Sequence, residues 1–290
     1  MQSIGSGTLL LVIGITMALS AVLRDTTLER MIHLGEEASL FVGHGLLLYL
    51  RLRTGNDMLC HVASLAVQYC FTALFAFLLI EVIHSYSILT SMVRAGGLLP
   101  KWPYVAIGVV APLPFVAATT LSSRDDALSL WSCWLNWSNS LVTASAAGPI
   151  LISAAIGIIT AEAGGMWKGG PLPGHSPQQR LMAQASQKSL MFVIPIQVGA
   201  WFLGSWAVHN MSLFLYGTVS ILNVSLGYSI FVFHAAGSAE IQKLVKRLWA
   251  TVRGKLASKE VFKVEGVKKS IQKAAVRGMG FFKLGARQSQ

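Results

Sequence analysis

The stretch that decides the fold is residues 4–23, which read IGSGTLLLVIGITMALSAVL and contain no charged side chain. A helix of about 20 apolar residues is long enough to cross the hydrocarbon core of a bilayer. Secretory signal peptides begin with a basic region, whereas no Lys or Arg precedes this stretch. We therefore interpret residues 4–23 as a membrane-spanning helix and not as a cleaved leader.

The composition agrees with a chain that faces lipid over most of its surface. Hydrophobic residues make up 53% of the chain and charged residues only 12%, against about 25% charged in a typical soluble domain. The apolar runs are continuous and not alternating, which favours helices over the strands of a barrel. The sequence predicts an all-α membrane protein, a bundle of seven transmembrane helices over residues 4–23, 31–50, 58–92, 103–122, 138–163, 189–208 and 213–235.

The bundle is predicted to occupy residues 1–236, and a basic tail the remaining residues 237–290. Thirteen of the 23 Lys and Arg residues lie beyond Ser238. Apolar residues recur at helical spacing from Ile241 to Val252 with basic residues between them, which predicts an amphipathic helix on the anionic inner leaflet. An ordinary solvated helix is the alternative. The net charge of +11 is thus assigned to the membrane surface, and no nucleic-acid partner is predicted.

The distribution of basic residues between the loops predicts the orientation. If the tail is cytoplasmic, the inner loops contain Arg and Lys at 24, 30, 94, 101, 168, 180 and 188, whereas the outer loops contain only Arg51, Arg53 and Arg124. Three aspartates offset those outer charges. The positive-inside rule then places the N-terminus outside the cell and the C-terminus in the cytoplasm. We expect a multi-pass protein of the plasma membrane.

The three cysteines are divided between the outer surface and the interior. Cys60 begins the third span and Cys133 lies in the second outer loop, so both face an oxidising compartment in which a disulfide is stable. Two unpaired cysteines are the alternative. Cys70 lies about 15 Å deeper along the same helix and is expected to be a buried free thiol.

A few ionisable residues lie inside the predicted spans, where they are costly and therefore candidates for function. His33, Glu81 and His234 all fall in the cytoplasmic half, where they could form one hydrogen-bonded cluster closing the inner end. Three independent groups that extend to the lipid headgroups are the alternative. We find no catalytic set and no His/Glu spacing for zinc. The sequence therefore predicts no enzyme, metal or cofactor.

Several of these segments also resemble the adhesion class of G protein-coupled receptors and, more distantly, the secretin class. The resemblance covers most of residues 30–240. It rests on Phe75-Ala-Phe-Leu-Leu-Ile-Glu81-Val-Ile-His84-Ser-Tyr86, Cys133-Trp134-Leu135, Gly148-Pro149, Pro195-Ile-Gln-Val-Gly-Ala-Trp201-Phe-Leu-Gly204, and Ile221-Leu-Asn223 followed by Gly227 and Phe231-Val-Phe-His234. The chain departs from the usual family residues in having Phe77 in place of Trp, Gly157 in place of Asn and Leu226 in place of Gln.

The resemblance implies roles for particular residues. It implies that Cys60 and Cys133 form the family's disulfide and that Trp201 acts as a switch beneath the ligand pocket. Pro195 and Gly204 match the other fixed positions of the sixth span. His33, Glu81 and His234 match an inner polar network that opens on activation. The resemblance further implies a tethered peptide as the typical agonist and a heterotrimeric G protein as the partner.

The leading hypothesis is thus a signalling receptor for an apolar peptide or lipid-like agonist, in which the sixth span bends at Pro195. Helix register and the resemblance place the walls of the ligand pocket at Phe71, Phe77, Trp134, Trp201, Phe202, Tyr216 and Asn223. A transporter or channel is the alternative, although a charge at the membrane midplane or an inverted repeat would then be expected. An intramembrane enzyme would need a catalytic pair that we do not find.

Overall fold

A computed structural model describes residues 2–23, 27–52, 57–90, 100–122, 139–166, 177–210 and 212–236, together with residues 247, 249 and 250. The chain divides into two compact units, Met1–Ser238 and Ala239–Gln290. In the first unit the helices are α1 Gln2–Leu23, α2 Leu28–Leu52, α3 Asp57–Leu89, α4 Lys101–Val110, α5 Leu113–Ser122, α6 Ser140–Met166, α7 Pro177–Asn210 and α8 Leu213–Ile230, and a π-helical segment, Phe231–Ala236, follows α8.

These helices confirm the predicted seven-helix membrane bundle. Within the described residues, six stretches are long and apolar enough to cross a membrane, namely α1, α3, α4 with α5, α6, α7 and α8. Helix α2 has sufficient length at 25 residues but carries Glu36 and Glu37, which are buried inside the bundle. The fourth span is divided at Pro112 into α4 and α5, because proline has no backbone N–H to continue the helix.

Helix α3 is the most buried of the candidate spans and forms the centre of the bundle. Phe71, Leu74, Phe75, Leu78 and Val82 of this helix belong to the main hydrophobic core. Large apolar side chains on other helices remain exposed, among them those at positions 11, 152, 192 and 228. Lipid tails can cover such side chains, so the outer surface needs few charged residues.

The helix α7 begins earlier than predicted. The sequence analysis placed the sixth span at 189–208 and a loop before it, whereas α7 begins at Pro177. Apolarity identifies only the part of a helix that lies in lipid. The preceding turns are polar but still helical, and proline at the first helical position is favourable because its missing N–H needs no partner there.

Helices α1 and α8 approach each other closely through small residues. A Cβ atom added at Gly5 would lie 2.6 Å from the Cα of Ser220, and one added at Gly227 would lie 3.1 Å from Cδ1 of Leu9. Small residues permit this close approach, which is a common basis of helix association in membranes. The first helix is thus held directly against the last one.

Replacing Gly5 by alanine is expected to destabilise the bundle, because the new methyl group meets backbone and not a movable side chain. Overpacking of this kind costs about 1–3 kcal/mol. Gly7→Ala is the matched control, since a Cβ atom at Gly7 would meet nothing within 4 Å. Thermal unfolding in lipid nanodiscs should show a lower midpoint for Gly5→Ala only. Equal midpoints for the two variants would contradict the observed packing.

The second unit is described at three residues only. Arg247, Trp249 and Ala250 are helical and exposed. The remaining positions of the predicted amphipathic helix and basic tail lie outside the described residues. The predicted boundary at 236 and the placement of the tail on the inner leaflet stay predictions.

Candidate functional site

One end of the bundle contains a buried group of ionisable residues, which we call the polar cluster. It lies where α2 begins, α3 ends and the π-helical segment follows α8, so we call this end the polar end. Neighbouring helices run in opposite directions, which brings these distant parts of the chain together. The members of the polar cluster are Arg30, His33, Glu36, Glu37, Glu81 and His234.

The structure brings His33, Glu81 and His234 together, as the sequence analysis expected of a single cluster. The Nε2 atom of His33 lies 3.1 Å from Oε1 of Glu81. The imidazole rings of His33 and His234 are stacked, with centroids 4.0 Å apart and an interplanar angle of 7°. The hydrogen-bond partner of His234 in the described structure is Glu37, whose Oε1 accepts from Nδ1 at 3.2 Å.

Glu37 therefore connects His234 to the guanidinium group of Arg30. Arg30 donates from Nη2 to Oε2 of Glu37 at 3.3 Å, and both residues are buried. Glu37 lies inside the second predicted span, residues 31–50, and was not among the candidate site residues. Its partner could not be identified from sequence because His234 is 197 positions away.

Helix α7 is bonded to the same end of the bundle through two residues that the sequence analysis missed. Ser186 donates to Oε1 of Glu81 at 2.5 Å. Gln187 donates from Nε2 to the carbonyl of Val82 at 2.8 Å and to Oγ of Ser85 at 2.7 Å. Both lie in the stretch that was expected to be a loop. Positions 183, 187, 190 and 194, which are buried in the structure, recur at helical spacing.

The opposite half of α7 presents an aromatic and polar face to the interior. Gln197, Trp201 and Ser205 follow one another at four-residue spacing and are 1%, 5% and 3% exposed. The ring of Trp201 is perpendicular to that of Phe202, with centroids 4.9 Å apart. Oε1 of Gln197 and Oγ of Ser205 have no hydrogen-bond partner among the described residues. We call these three residues the inward face of α7.

Phe71 belongs to the same core as Trp201, and Phe202 packs against that core. Phe77, by contrast, lies in a separate hydrophobic group with Ile32, Ile80 and Tyr104. Its ring occupies the space between Gly35 of α2 and Gly108 of α4, since a Cβ atom at either glycine would collide with it. The structure therefore places Phe77 in a different part of the interior from the other two aromatic residues.

The remaining predicted positions are placed as follows. Asn223 is buried and Tyr216 is partly exposed. Pro195 lies inside α7, and a Cβ atom at Gly204 would make only an ordinary 3.8 Å contact with Val219. Cys133 and Trp134 lie outside the described residues.

Two of the departures from the family residues are buried against neighbouring helices. At Gly157 a Cβ atom would lie 2.9 Å from Cδ1 of Ile194, so any larger residue there needs Ile194 to move. Leu226 is fully buried. Both positions are therefore occupied by residues that fit the observed packing of this chain.

Cys60 is disulfide-bonded, and Cys70 is free and buried. The pairing of Cys60 with Cys133 stays a prediction because Cys133 lies outside the described residues. Cys60→Ala and Cys133→Ala should each lower the amount of protein at the cell surface, since losing a native disulfide costs about 2–5 kcal/mol in small secreted domains. Cys70→Ala is the control and should reach the surface normally. Mass spectrometry that detects Cys133 as a free thiol in mature protein would rule the pairing out.

Comparison with known proteins agrees with this architecture. The model of the family described as 7 transmembrane receptor (Secretin family) matches residues 2–161. Adhesion G-protein coupled receptor D1 of Bos taurus is 26% identical over 260 residues, which cover 85% of this chain and 28% of that protein. Adhesion G protein-coupled receptor D2 of Homo sapiens is 25% identical over 229 residues, covering 75% of this chain and 23% of that protein.

A third relative, Cadherin EGF LAG seven-pass G-type receptor 1 of Mus musculus, is 24% identical over 205 residues, which cover 68% of this chain and 6% of that protein. The chain thus spans less than a third of the length of each of these relatives. The family match covers more than half of the 290 residues. The chain belongs to the secretin family of seven transmembrane receptors.

Proposed function

We propose that the chain is the seven-helix region of a cell-surface receptor that transmits an extracellular signal to a heterotrimeric G protein. The observation that carries the proposal is that α7 is bonded to α3 at the polar end and lines the interior of the bundle in its other half. At the polar end, Ser186 and Gln187 bond α7 to α3. In the other half, Trp201 and two unpartnered oxygens of the inward face of α7 line the interior. One helix therefore connects a candidate ligand region with a candidate output region.

The proposed orientation puts the polar end in the cytoplasm. Support comes from the basic residues of the tail and of the loops at that end, because cytoplasmic segments are rich in Lys and Arg. In this orientation the polar cluster lies next to the G protein. The inward face of α7 then lies in the extracellular half of the bundle.

The orientation predicts that an epitope tag placed after Gln290 is accessible to antibody only after the cells are permeabilised. A tag before Met1 is the matched control and should be stained on intact cells. Immunofluorescence or flow cytometry of both tagged chains gives the answer. Staining of the C-terminal tag on intact cells would contradict the proposed orientation.

We place the agonist against Phe71, Trp201 and Phe202, with Trp134 above them in the second outer loop and Tyr216 and Asn223 as further wall residues. Ligand sites are mostly apolar and contain a small number of polar groups that fix orientation. The unpartnered oxygens of Gln197 and Ser205 can supply that polar recognition. This composition suits an apolar peptide, tethered or free, or a lipid-like molecule.

Activation is proposed to shift the bundle between two conformations. A ligand can shift such an equilibrium only through its differential affinity for the two states. Contacts with Trp201 would favour a state in which α7 bends near Pro195, where the helix lacks one backbone hydrogen bond. The inner part of α7 then separates from Glu81 and Val82, and the polar end opens to the G protein.

The test is guanine-nucleotide exchange on a panel of purified heterotrimeric G proteins, with the full chain in lipid nanodiscs. Exchange is measured for the chain alone and with short apolar peptides. We expect at least one G protein subtype to exchange nucleotide faster with the chain than with empty nanodiscs. Exchange that never exceeds the empty-nanodisc rate, with or without peptides, would argue against coupling.

A further inference from the structure

We propose that the polar cluster is a binding site for a divalent transition-metal ion, with zinc the best fit to its ligands. The inference goes beyond receptor function and does not rest on it. The ligand atoms of His33, Glu81 and His234 all lie within 4.8 Å of one another. They come from three separate elements, α2, α3 and the π-helical segment. An ion bound to all three would hold these elements together at the polar end.

The distances suit zinc after a small rearrangement. Zinc binds imidazole nitrogen and carboxylate oxygen at about 2.0–2.2 Å, so neighbouring ligand atoms of a tetrahedral site are roughly 3.4 Å apart. The separation of 3.1 Å between Nε2 of His33 and Oε1 of Glu81 is already close to this value. The ligand atoms of the three residues lie within 4.8 Å of one another. Side-chain rotation that brings the most distant atoms about 1.5 Å closer gives the tetrahedral spacing.

Glu37 gives His234 the arrangement of a metal ligand. Because Nδ1 of His234 donates to Glu37, its Nε2 carries the free lone pair. Metal-binding histidines almost always donate their other ring N–H to a carboxylate or carbonyl in this way, which fixes the tautomer and raises the basicity of the ligand. Nη2 of Arg30 in turn lies 3.3 Å from Oε2, the other carboxylate oxygen of Glu37.

A fourth ligand is available in Glu36. Its Oε2 lies 3.9 Å from Nε2 of His234. Oε1 of Glu36 and Oε2 of Glu81 are buried side-chain oxygens that accept from no donor group among the described residues, and the two carboxyl groups lie within hydrogen-bond reach of each other. Buried carboxylate oxygens are costly unless they are paired or coordinate a metal, and a cation between these residues would satisfy both.

The charge of the cluster also favours a divalent cation. Glu36, Glu37 and Glu81 contribute three potential negative charges, and Arg30 contributes one positive charge. A divalent ion would therefore neutralise the excess if both histidines bind as neutral ligands. Two imidazoles with carboxylates favour zinc over magnesium or calcium, which prefer oxygen ligands. The His33 side chain is 18% exposed, so the described residues do not fully enclose the cluster.

The test uses Zn²⁺ itself, titrated by calorimetry into the metal-free full chain in nanodiscs. We expect saturable binding of one ion per chain at this cluster. His33→Asn and His234→Asn should weaken binding by more than the 10- to 100-fold that loss of an orienting partner typically costs. Glu37→Gln should weaken zinc binding by 10- to 100-fold, because Glu37 orients His234 without binding the ion. His44→Asn is the matched control, since His44 is buried on the same helix but is bonded to Ser6.

A second measurement needs no variant and so does not depend on whether a variant folds. The X-ray absorption spectrum of the zinc-loaded natural chain should show two imidazole ligands with nitrogen and oxygen at about 2.0–2.2 Å. Absence of saturable binding, or a spectrum without imidazole scattering, would overturn the proposal. Binding that is unchanged in both His33→Asn and His234→Asn would show an adventitious surface ion only.

Discussion

Replacing Ser186 and Gln187 together by alanine is expected to raise ligand-independent nucleotide exchange by roughly tenfold or more. The double substitution removes three hydrogen bonds between α7 and α3. Each contributes about 0.5–1.5 kcal/mol, and the bond to a charged carboxylate more. A change of 1.4 kcal/mol alters an equilibrium constant tenfold. If these bonds form only in the closed state, their loss shifts the population toward the open one.

The measurement is basal exchange in nanodiscs at equal amounts of folded receptor, as determined from its thermal unfolding signal. Phe192→Ala is the matched control, because Phe192 lies on the same helix and its side chain is 63% exposed. It makes none of the three bonds between α7 and α3. Its basal exchange should equal that of the natural chain. Unchanged exchange in the double variant would show that the bonds to α3 persist in the open state.

A mutant cycle can separate the bond from the residues that make it. Ser186→Ala and Glu81→Ala remove the same hydrogen bond, so their effects on exchange should not add when combined. Glu81→Ala alone should have the larger effect, since it also releases His33. Gln187→Ala has independent partners and should add to either. Non-additivity of this kind is the accepted evidence for direct coupling between two residues.

The seven-helix architecture could be predicted from sequence because each span is a continuous apolar run, and length and apolarity are what the bilayer demands of a helix. The same criterion failed at Pro177–Lys188, where α7 is helical but polar. It also could not indicate that the fourth span divides at Pro112. Those features depend on contacts outside the lipid and on local backbone geometry.

The site was predictable only in part, for a physical reason. His33, Glu81 and His234 could be selected because an ionisable residue inside a span is costly and usually has a role. Ser186 and Gln187 are neutral and carry no such signal. The zinc ligands proposed here come from α2, α3 and the segment after α8, so no single helix shows a spacing such as two histidines four residues apart. Such a site becomes visible only when the helices have been placed.

Replacing Trp201 by alanine is expected to have the second large effect, on both stability and signalling. Trp201 is 5% exposed and packs on Phe202, and the loss of a buried Trp typically costs about 3–5 kcal/mol. Trp206→Ala is a matched control on the same helix, because Trp206 is 59% exposed. A surface substitution of this kind usually changes stability by no more than about 0.5 kcal/mol. Thermal unfolding in nanodiscs should therefore separate the two variants clearly.

The signalling effect is tested with Trp201→Phe, which keeps an aromatic ring and so preserves more of the packing than alanine does. Nucleotide exchange is measured with the apolar peptide that gives the largest response in the natural chain. If Trp201 transmits ligand contact to the bend at Pro195, its replacement should reduce the maximal response, whereas Trp206→Phe should not. Basal exchange serves as the internal reference, because bonds at the polar end are intact in both variants. A full maximal response and unchanged potency in Trp201→Phe and Trp201→Ala receptors that reach the surface would show that Trp201 acts in packing alone.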